Sequence, residues 1–299
     1  MSERQNDPDE LDLQRAAFAS HRRGQRLEAL RAGVSLVLAA ASVLATLVTA
    51  VAPIVTVLGF SWALTASLVI DGAIKREARR AAAIQEAFDT GLYQMSWNTA
   101  FVGQPVPPED LHRLVRAFHK SDRREERIRD WYPDTTGLPR PYDILLCQQT
   151  NLAWDARLRR RYAIFLLAAV ILWSTLGVVV AIVVGLTVID ALLRWYVPSL
   201  AALRLGLEGQ HAQREVANER ERLLELVRTE LDHATPGPVP SARQTRLIKF
   251  CREIQDGIFA TRRQVARVPG WFYERFRPDD EDDMHQSAEQ QRTRLRGSG

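Results

Sequence analysis

The chain has 299 residues, 46% of them hydrophobic and 25% charged, and 40 Lys and Arg against 36 Asp and Glu leave a formal net charge of +4. So small an excess excludes a protein built around a nucleic-acid polymer, and two cysteines without a histidine pattern exclude a zinc-built scaffold. The apolar residues are gathered into two tracts: between Ala32 and Ile74 the only charged side chain is Asp71, and between Tyr162 and Ile189 there is none.

A helix rises about 1.5 Å per residue and a bilayer core is about 30 Å thick, so one crossing takes roughly 20 residues. Each tract is about twice too long for one helix and fits a hairpin of two. Basic residues flank both hairpins on one side: Arg22, Arg23, Arg26 and Arg31, then Lys75, Arg76, Arg79 and Arg80, then Arg157 and Arg159 to Arg161, then Arg204 and Arg214. The presumed outer turns, Ala50 to Pro53 and Val184 to Asp190, hold no Lys or Arg, which places both termini and the middle segment in the cytoplasm. Cys147 and Cys251 then sit in a reducing compartment, which argues against a disulfide. The first tract begins too late and runs too long for a cleaved signal peptide.

In chain order, residues 1–31 form an amphipathic N-terminal helix, best developed from Asp9 to Leu30. Residues 32–74 form the first transmembrane hairpin, with Pro53 in the first turn of its second limb. Asp71 lies near the inner end of that limb, where Lys75 is an available partner. Residues 75–161 form a cytoplasmic helical region. In it, the second limb continues to about Thr90, Pro108 opens a short helix carrying Leu111, Leu114, Val115 and Phe118, and a helix from Tyr142 runs unbroken into the third span. Residues 162–206 form the second hairpin, its last limb carrying Asp190, Arg194 and Pro198. Residues 207–296 supply cytoplasmic C-terminal helices, with apolar stripes Val216, Leu223, Val227, Leu231 and Leu247, Cys251, Ile254, Ile258. The second of these helices ends before Pro269, and the acidic run Asp279 to Asp283 leads into a frayed tail. Residues 297–299, Gly-Ser-Gly, read as an appended tail. The expected fold is all-α: two transmembrane helical hairpins and a cytoplasmic helical bundle.

Several cytoplasmic stretches mix aromatics with amides and acids. Gln85 and Asp89 share a helix face, as do Gln148, Asn151 and Asp155. Trp97-Asn98, Trp131-Tyr132, Gln255 and Arg262 complete the set. Amides read base edges, aromatics stack on bases and arginines hold phosphate, so these eleven residues are candidates for a nucleotide pocket. The same residues suit plain packing, in which buried amides and rings satisfy one another. Asp190 and Arg194 mark a water-filled path if they lie within the bilayer, and an outer interface if the span starts later. No nucleophile elbow, P-loop or His-Glu-x-x-His is present, so neither an enzyme nor a metal or cofactor site is expected.

In this order the motifs resemble a known family. Gln85-Glu86-Ala87-Phe88-Asp89, Trp97-Asn98, Trp131-Tyr132-Pro133, Cys147-Gln148 with Asn151 and Asp155, Pro198 to Gly206, Ile254-Gln255-Asp256, Arg262 and Pro269 to Tyr273 resemble the SMODS-associating four-transmembrane effectors of bacterial CBASS anti-phage systems. Met95-Ser96 and Gly270 depart from the family pattern. The resemblance implies a non-enzymatic effector in the bacterial inner membrane, whose partners are the lipid bilayer and a cyclic di- or trinucleotide made by a CD-NTase (SMODS) nucleotidyltransferase. It implies that this messenger opens a homo-oligomer, disrupts the membrane and causes abortive infection. A constitutive channel or transporter, and a scaffold recruiting a cytoplasmic partner, are the alternatives that the residues leave open.

Overall fold

The computed structural model of the protein describes residues 1–45, 52–118, 125–126, 128–235, 237–264 and 268–296. The elements run α1 (Pro8–Ala45), α2 (Ala52–Thr65), a π-helical turn (Ala66–Ile70), α3 (Asp71–Tyr93), α4 (Thr99–Val102), α5 (Pro108–Ala117) and α6 (Tyr142–Val184). They continue with α7 (Val188–Ala191), a second π-helical turn (Leu192–Tyr196), α8 (Val197–Asp232), α9 (Ser241–Gln264) and α10 (Gly270–Arg296). The protein is all-helical, with no strand among the described residues.

Two antiparallel helix pairs organise it. In the first, Arg31 meets Asp71 at 2.5 Å, Ser20 donates to Glu77 at 2.7 Å and Arg4 donates to the Gly91 carbonyl at 3.1 Å, so α1 descends as α3 ascends. Small, fully buried residues on both helices (Ala16, Ala17, Ala81, Ala82) allow the close approach. Asp71 therefore pairs with Arg31 across the helices rather than with Lys75, because the antiparallel register brings the α1 arginine to the same level. In the second pair, Trp173 donates to Ser199 at 3.0 Å and Arg159 to Gln213 at 2.7 Å, which sets α6 against α8. The fit is tight: a Cβ on Gly177 would fall 2.5 Å from the Trp195 ring, which stacks on Trp173 at 4.8 Å. Gly185 ends α6 in the left-handed conformation (φ 71°), and the Leu186 N–H returns to the Ala181 carbonyl.

Among the described residues, two helical stretches, Val57–Tyr93 and Tyr142–Val184, are long and apolar enough to cross a membrane. Their apolar portions expose Leu68, Leu172 and Val183 to 76%, 72% and 80%, the kind of apolar surface that marks an interaction face. The first expected span occupies the last part of α1 to Ala45 and then residues 46–51, which lie outside the described residues together with half of the first outer turn. The fourth is broken into α7, a π-helical turn and the start of α8. Thr187 sets where this limb starts: its Oγ accepts from the Asp190 N–H at 3.1 Å and donates to the Asp190 carboxylate at 2.7 Å, an N-cap that opens α7 after the Gly185 turn.

The polar ends of these helices converge on one core. Phe88, Leu92 and Tyr93 of α3 meet Ile144, Leu145 and Leu152 of α6, with the predicted stripes of α8 (Leu223, Val227, Leu231) and α9 (Leu247, Cys251, Ile254, Ile258) closing the cluster. Both cysteines lie in it as free thiols, pushed up by burial, Cys251 to about 12. The frayed tail is not found: Gly270–Arg296 is one helix. Its apolar stripe buries Phe272, Met284, Ala288 and Leu295. Its acidic run has partners, since Asp280 takes Arg161 at 2.9 Å and Arg157 at 3.3 Å. An isolated acidic segment frays; one facing the arginines of α6 does not.

Glu10, at the start of α1, is packed against Gly91. Its Oε2 is buried without a hydrogen bond, and Arg4 approaches Oε1 only to 3.9 Å. Burial raises its pKa from 4.5 to about 7, with Arg4 opposing. A folded pKa above the unfolded one means that stability present below 4.5 is lost as pH rises through about 7. The melting temperature of the detergent-solubilised protein is expected to fall between about pH 5 and pH 8. Glu10→Gln is expected to flatten that fall and to be the more stable protein at the upper end; an unchanged profile would remove Glu10 from the account.

Candidate functional site: a buried polar hub beside an arginine-lined cavity

At the centre of this core lies a group of largely buried polar side chains. Asp89 of α3 is 1% exposed and Arg262 of α9 is 7% exposed, and they pair at 2.6 Å. Asp89 also accepts from the Tyr132 hydroxyl at 2.7 Å and from Gln255 Nε2 at 2.9 Å. Gln255 donates to Glu86 at 2.8 Å, and Gln148 of α6 donates to Gln255 at 3.2 Å and to the Cys251 carbonyl at 2.8 Å. Arg252 pairs with Glu86 at 2.5 Å and with Asp256 at 2.7 Å, and Asn98 donates to Asp256 at 3.0 Å. The hub therefore ties α3, α6 and α9 to the loop that carries Tyr132.

A second arm extends toward the apolar half of α6. Asn151 donates to the Tyr132 hydroxyl at 3.4 Å and accepts from Arg220 of α8 at 3.1 Å. Asp155 takes Arg220 at 2.8 Å and Arg159 at 2.5 Å. Electrostatics follows this geometry. Burial opposes the Arg262 cation, but Asp89 and its neighbours overcome it and hold the guanidinium charged. Burial raises the Glu86 carboxyl, with Arg252 opposing, and burial lowers Arg220 to about 10 with Asp155 opposing. Tyr132 is raised by burial and then by the Asp89 charge, so it stays a hydroxyl donor.

Of the eleven residues singled out in the sequence, Asp89, Tyr132, Gln148, Asn151, Asp155, Gln255 and Arg262 belong to this hub, and Asn98 sits at its rim. Gln85 faces the other way, 3.3 Å from the His21 ring. Trp131 lies edge-on to Phe18, their rings 6.1 Å apart. Trp97 stands apart, its indole donating to the Gly103 carbonyl at 2.8 Å. Asp190 serves the helix cap described above; the Arg194 side chain lies outside the described residues. Glu86, Arg252, Arg159 and Arg220 were not singled out. Arg220 had a signal: it falls between Val216 and Leu223 on the buried stripe of α8, where a charged residue requires a partner.

Beside the hub, a cavity of about 470 Å³ opens between α1, the end of α5 and the start of α10. One face of α1 lines it with Phe18, His21, Arg22, Gln25 and Arg26, at helical spacing. Phe118, Val268, Tyr273 and Glu274 stand opposite. Gln25 donates to the Val268 carbonyl at 3.0 Å, and Tyr273 stacks on Trp154 of α6 at 6.0 Å. No group of residues suited to holding a metal occurs among the described residues.

An all-helical protein with two membrane-length apolar stretches running into a largely buried polar hub is the class these features define. The SMODS-associating 4TM effector domain model matches residues 1–291, and the chain belongs to that family. It is 25% identical, over 96% of both chains, to a probable CBASS effector molecule of Bacillus cereus (strain VD146). No solved structure matches it.

Removing one partner of a buried, hydrogen-bonded ion pair costs about 3–5 kcal/mol, whereas neutralising both costs far less. Arg262→Gln is thus expected to lower stability by about that amount, and Asp89→Asn combined with Arg262→Gln to restore most of it. Urea titrations of the purified protein in detergent supply the comparison. Equal destabilisation by the single and double variants would dismiss the pair as the centre of the hub.

Proposed function

We propose that this chain is a CBASS anti-phage effector of the bacterial inner membrane. In this reading it receives a cyclic di- or trinucleotide from a CD-NTase through its helical cytoplasmic region and disrupts the membrane as a homo-oligomer. Family membership and the likeness to a probable CBASS effector support the role. The observation that carries the mechanism is helical continuity. Asp89 of the hub lies on the helical stretch Val57–Tyr93, and Gln148, Asn151 and Asp155 lie on Tyr142–Val184, the same two stretches that expose membrane-length apolar bands.

In the proposed topology all four spans are helical, with both termini and residues 75–161 in the cytoplasm. The antiparallel pairs α1/α3 and α6/α8 support it, since each returns the chain to the side it left. The aromatic group Tyr162, Phe165, Trp271 and Phe272 falls where the apolar band of α6 begins, the place of an interfacial belt. A messenger that moves α3 or α6 at the hub tilts the span beyond it. Shifting a closed assembly from about 1% to about 99% open takes roughly 5.5 kcal/mol of differential affinity. Several ligands on one oligomer supply that more readily than one ligand on a monomer.

Dye-loaded liposomes carrying the purified protein test the reading. Leakage is expected only with a cognate cyclic oligonucleotide, and it is expected to fall in Asp190→Ala protein that still binds the messenger. Leakage independent of every nucleotide would point to a constitutive channel, and none under any condition to a scaffold. Topology has its own check: a cysteine placed at Gln104 is expected to resist an impermeant thiol reagent in intact cells, and its labelling would invert the arrangement.

A further inference from the structure

We infer that the messenger is received not in the polar hub but in the cavity between α1, α5 and α10, with Arg22 and Arg26 binding its phosphodiesters. This rests on the proposed function and assigns its binding site. The hub argues against itself as a pocket: Asp89 and Gln255 are 1% and 0% exposed and spend their hydrogen-bonding groups on one another, on Arg262 and on Glu86. The cavity, by contrast, is open space. Its volume of about 470 Å³ lies within the about 300–1,000 Å³ of ordinary small-molecule sites.

Its chemistry is that of a phosphodiester bearing flat rings. Among the described residues, Arg22, Arg23 and Arg26 line it against one carboxylate, Glu274. Arg22 and Arg26 are exposed and stand one turn apart on α1, a spacing that lets two guanidiniums hold separate phosphates. Phe18, Phe118 and Tyr273 supply aromatic faces for bases. The cavity also touches the parts that would carry a signal. His21 lies 3.3 Å from Gln85 of α3, four residues before Asp89 on the helix that forms the ion pair. Gln25 holds the Val268 carbonyl, between α9 and α10, at 3.0 Å. A ligand drawing His21 into the cavity pulls on α3, which carries Asp89, and one drawing Gln25 pulls on the segment that leads into α10.

An anionic lipid headgroup presents the same phosphodiester, so the test separates the two. Wild type and Arg22→Gln/Arg26→Gln are purified in a neutral detergent. Each is titrated with a panel of cyclic di- and tri-adenylates and guanylates, and separately with phosphatidylglycerol micelles. Wild type is expected to bind one cyclic oligonucleotide. The double variant, with an unchanged melting temperature, is expected to lose about a hundredfold in affinity, about tenfold for each charge-assisted hydrogen bond. Arg22→Lys/Arg26→Lys is expected to recover part of it, which a merely structural role does not explain. Unchanged affinity in the folded Gln variant would overturn the site while leaving the effector role intact. Binding of no cyclic oligonucleotide by wild type would overturn both, and weakening of phosphatidylglycerol binding alone would give the cavity to lipid.

Discussion

The Asp89–Arg262 pair is the contact on which the rest of the fold turns. Two charges withdrawn from water carry a desolvation cost that their attraction offsets only with good geometry and with their remaining hydrogen-bonding groups satisfied. Here Tyr132 and Gln255 complete Asp89, and completing Gln255 draws in Glu86 and Gln148. Each added group specifies the position of another helix. An apolar core of the same volume would hold α3, α6 and α9 together with less demand on their register.

That demand gives the hub its mechanical character. Packed helices do not deform continuously; they hop between discrete arrangements. A hub this densely bonded resists small displacement, although Gln148 Oε1 and Arg252 Nε are buried in it without a hydrogen bond. The two antiparallel helix pairs extend this property along their length. Val170 lies against Gly206, and Leu166 against Gly209, so α6 and α8 have little room to slide independently. A displacement at the hub is thus carried toward the apolar ends instead of being absorbed between. In the proposed function this is how a small ligand acts on a bilayer.

The all-helical class, the continuity of α6 from Tyr142 through Val184 and the buried stripes of α8 and α9 were legible in the sequence, because periodicity and apolar length are local properties. So was the membership of the hub in large part. Gln148, Gln255 and Arg262 stand on helix faces otherwise apolar, and a polar residue there must find a partner inside. The sequence did not give the partners. Asp89 meeting Arg262 depends on two helices 173 residues apart in the chain. The ordered C-terminal helix likewise depends on Arg157 and Arg161, which offset an acidic run that by itself favours the unfolded chain.

The sequence by itself determined where helices form, which faces they bury and which stretches are apolar over membrane length, since each of these is written in residue spacing. Only the tertiary structure decided which side chains are spent and which face open space. Trp97 and Asn98 are neighbours in the chain, yet one caps a local turn and the other joins the hub. Arg22 and Arg26 read as a membrane flank, yet they line a cavity whose far wall comes from α10. A cavity is a property of how surfaces from distant segments fail to meet, and no single segment encodes it.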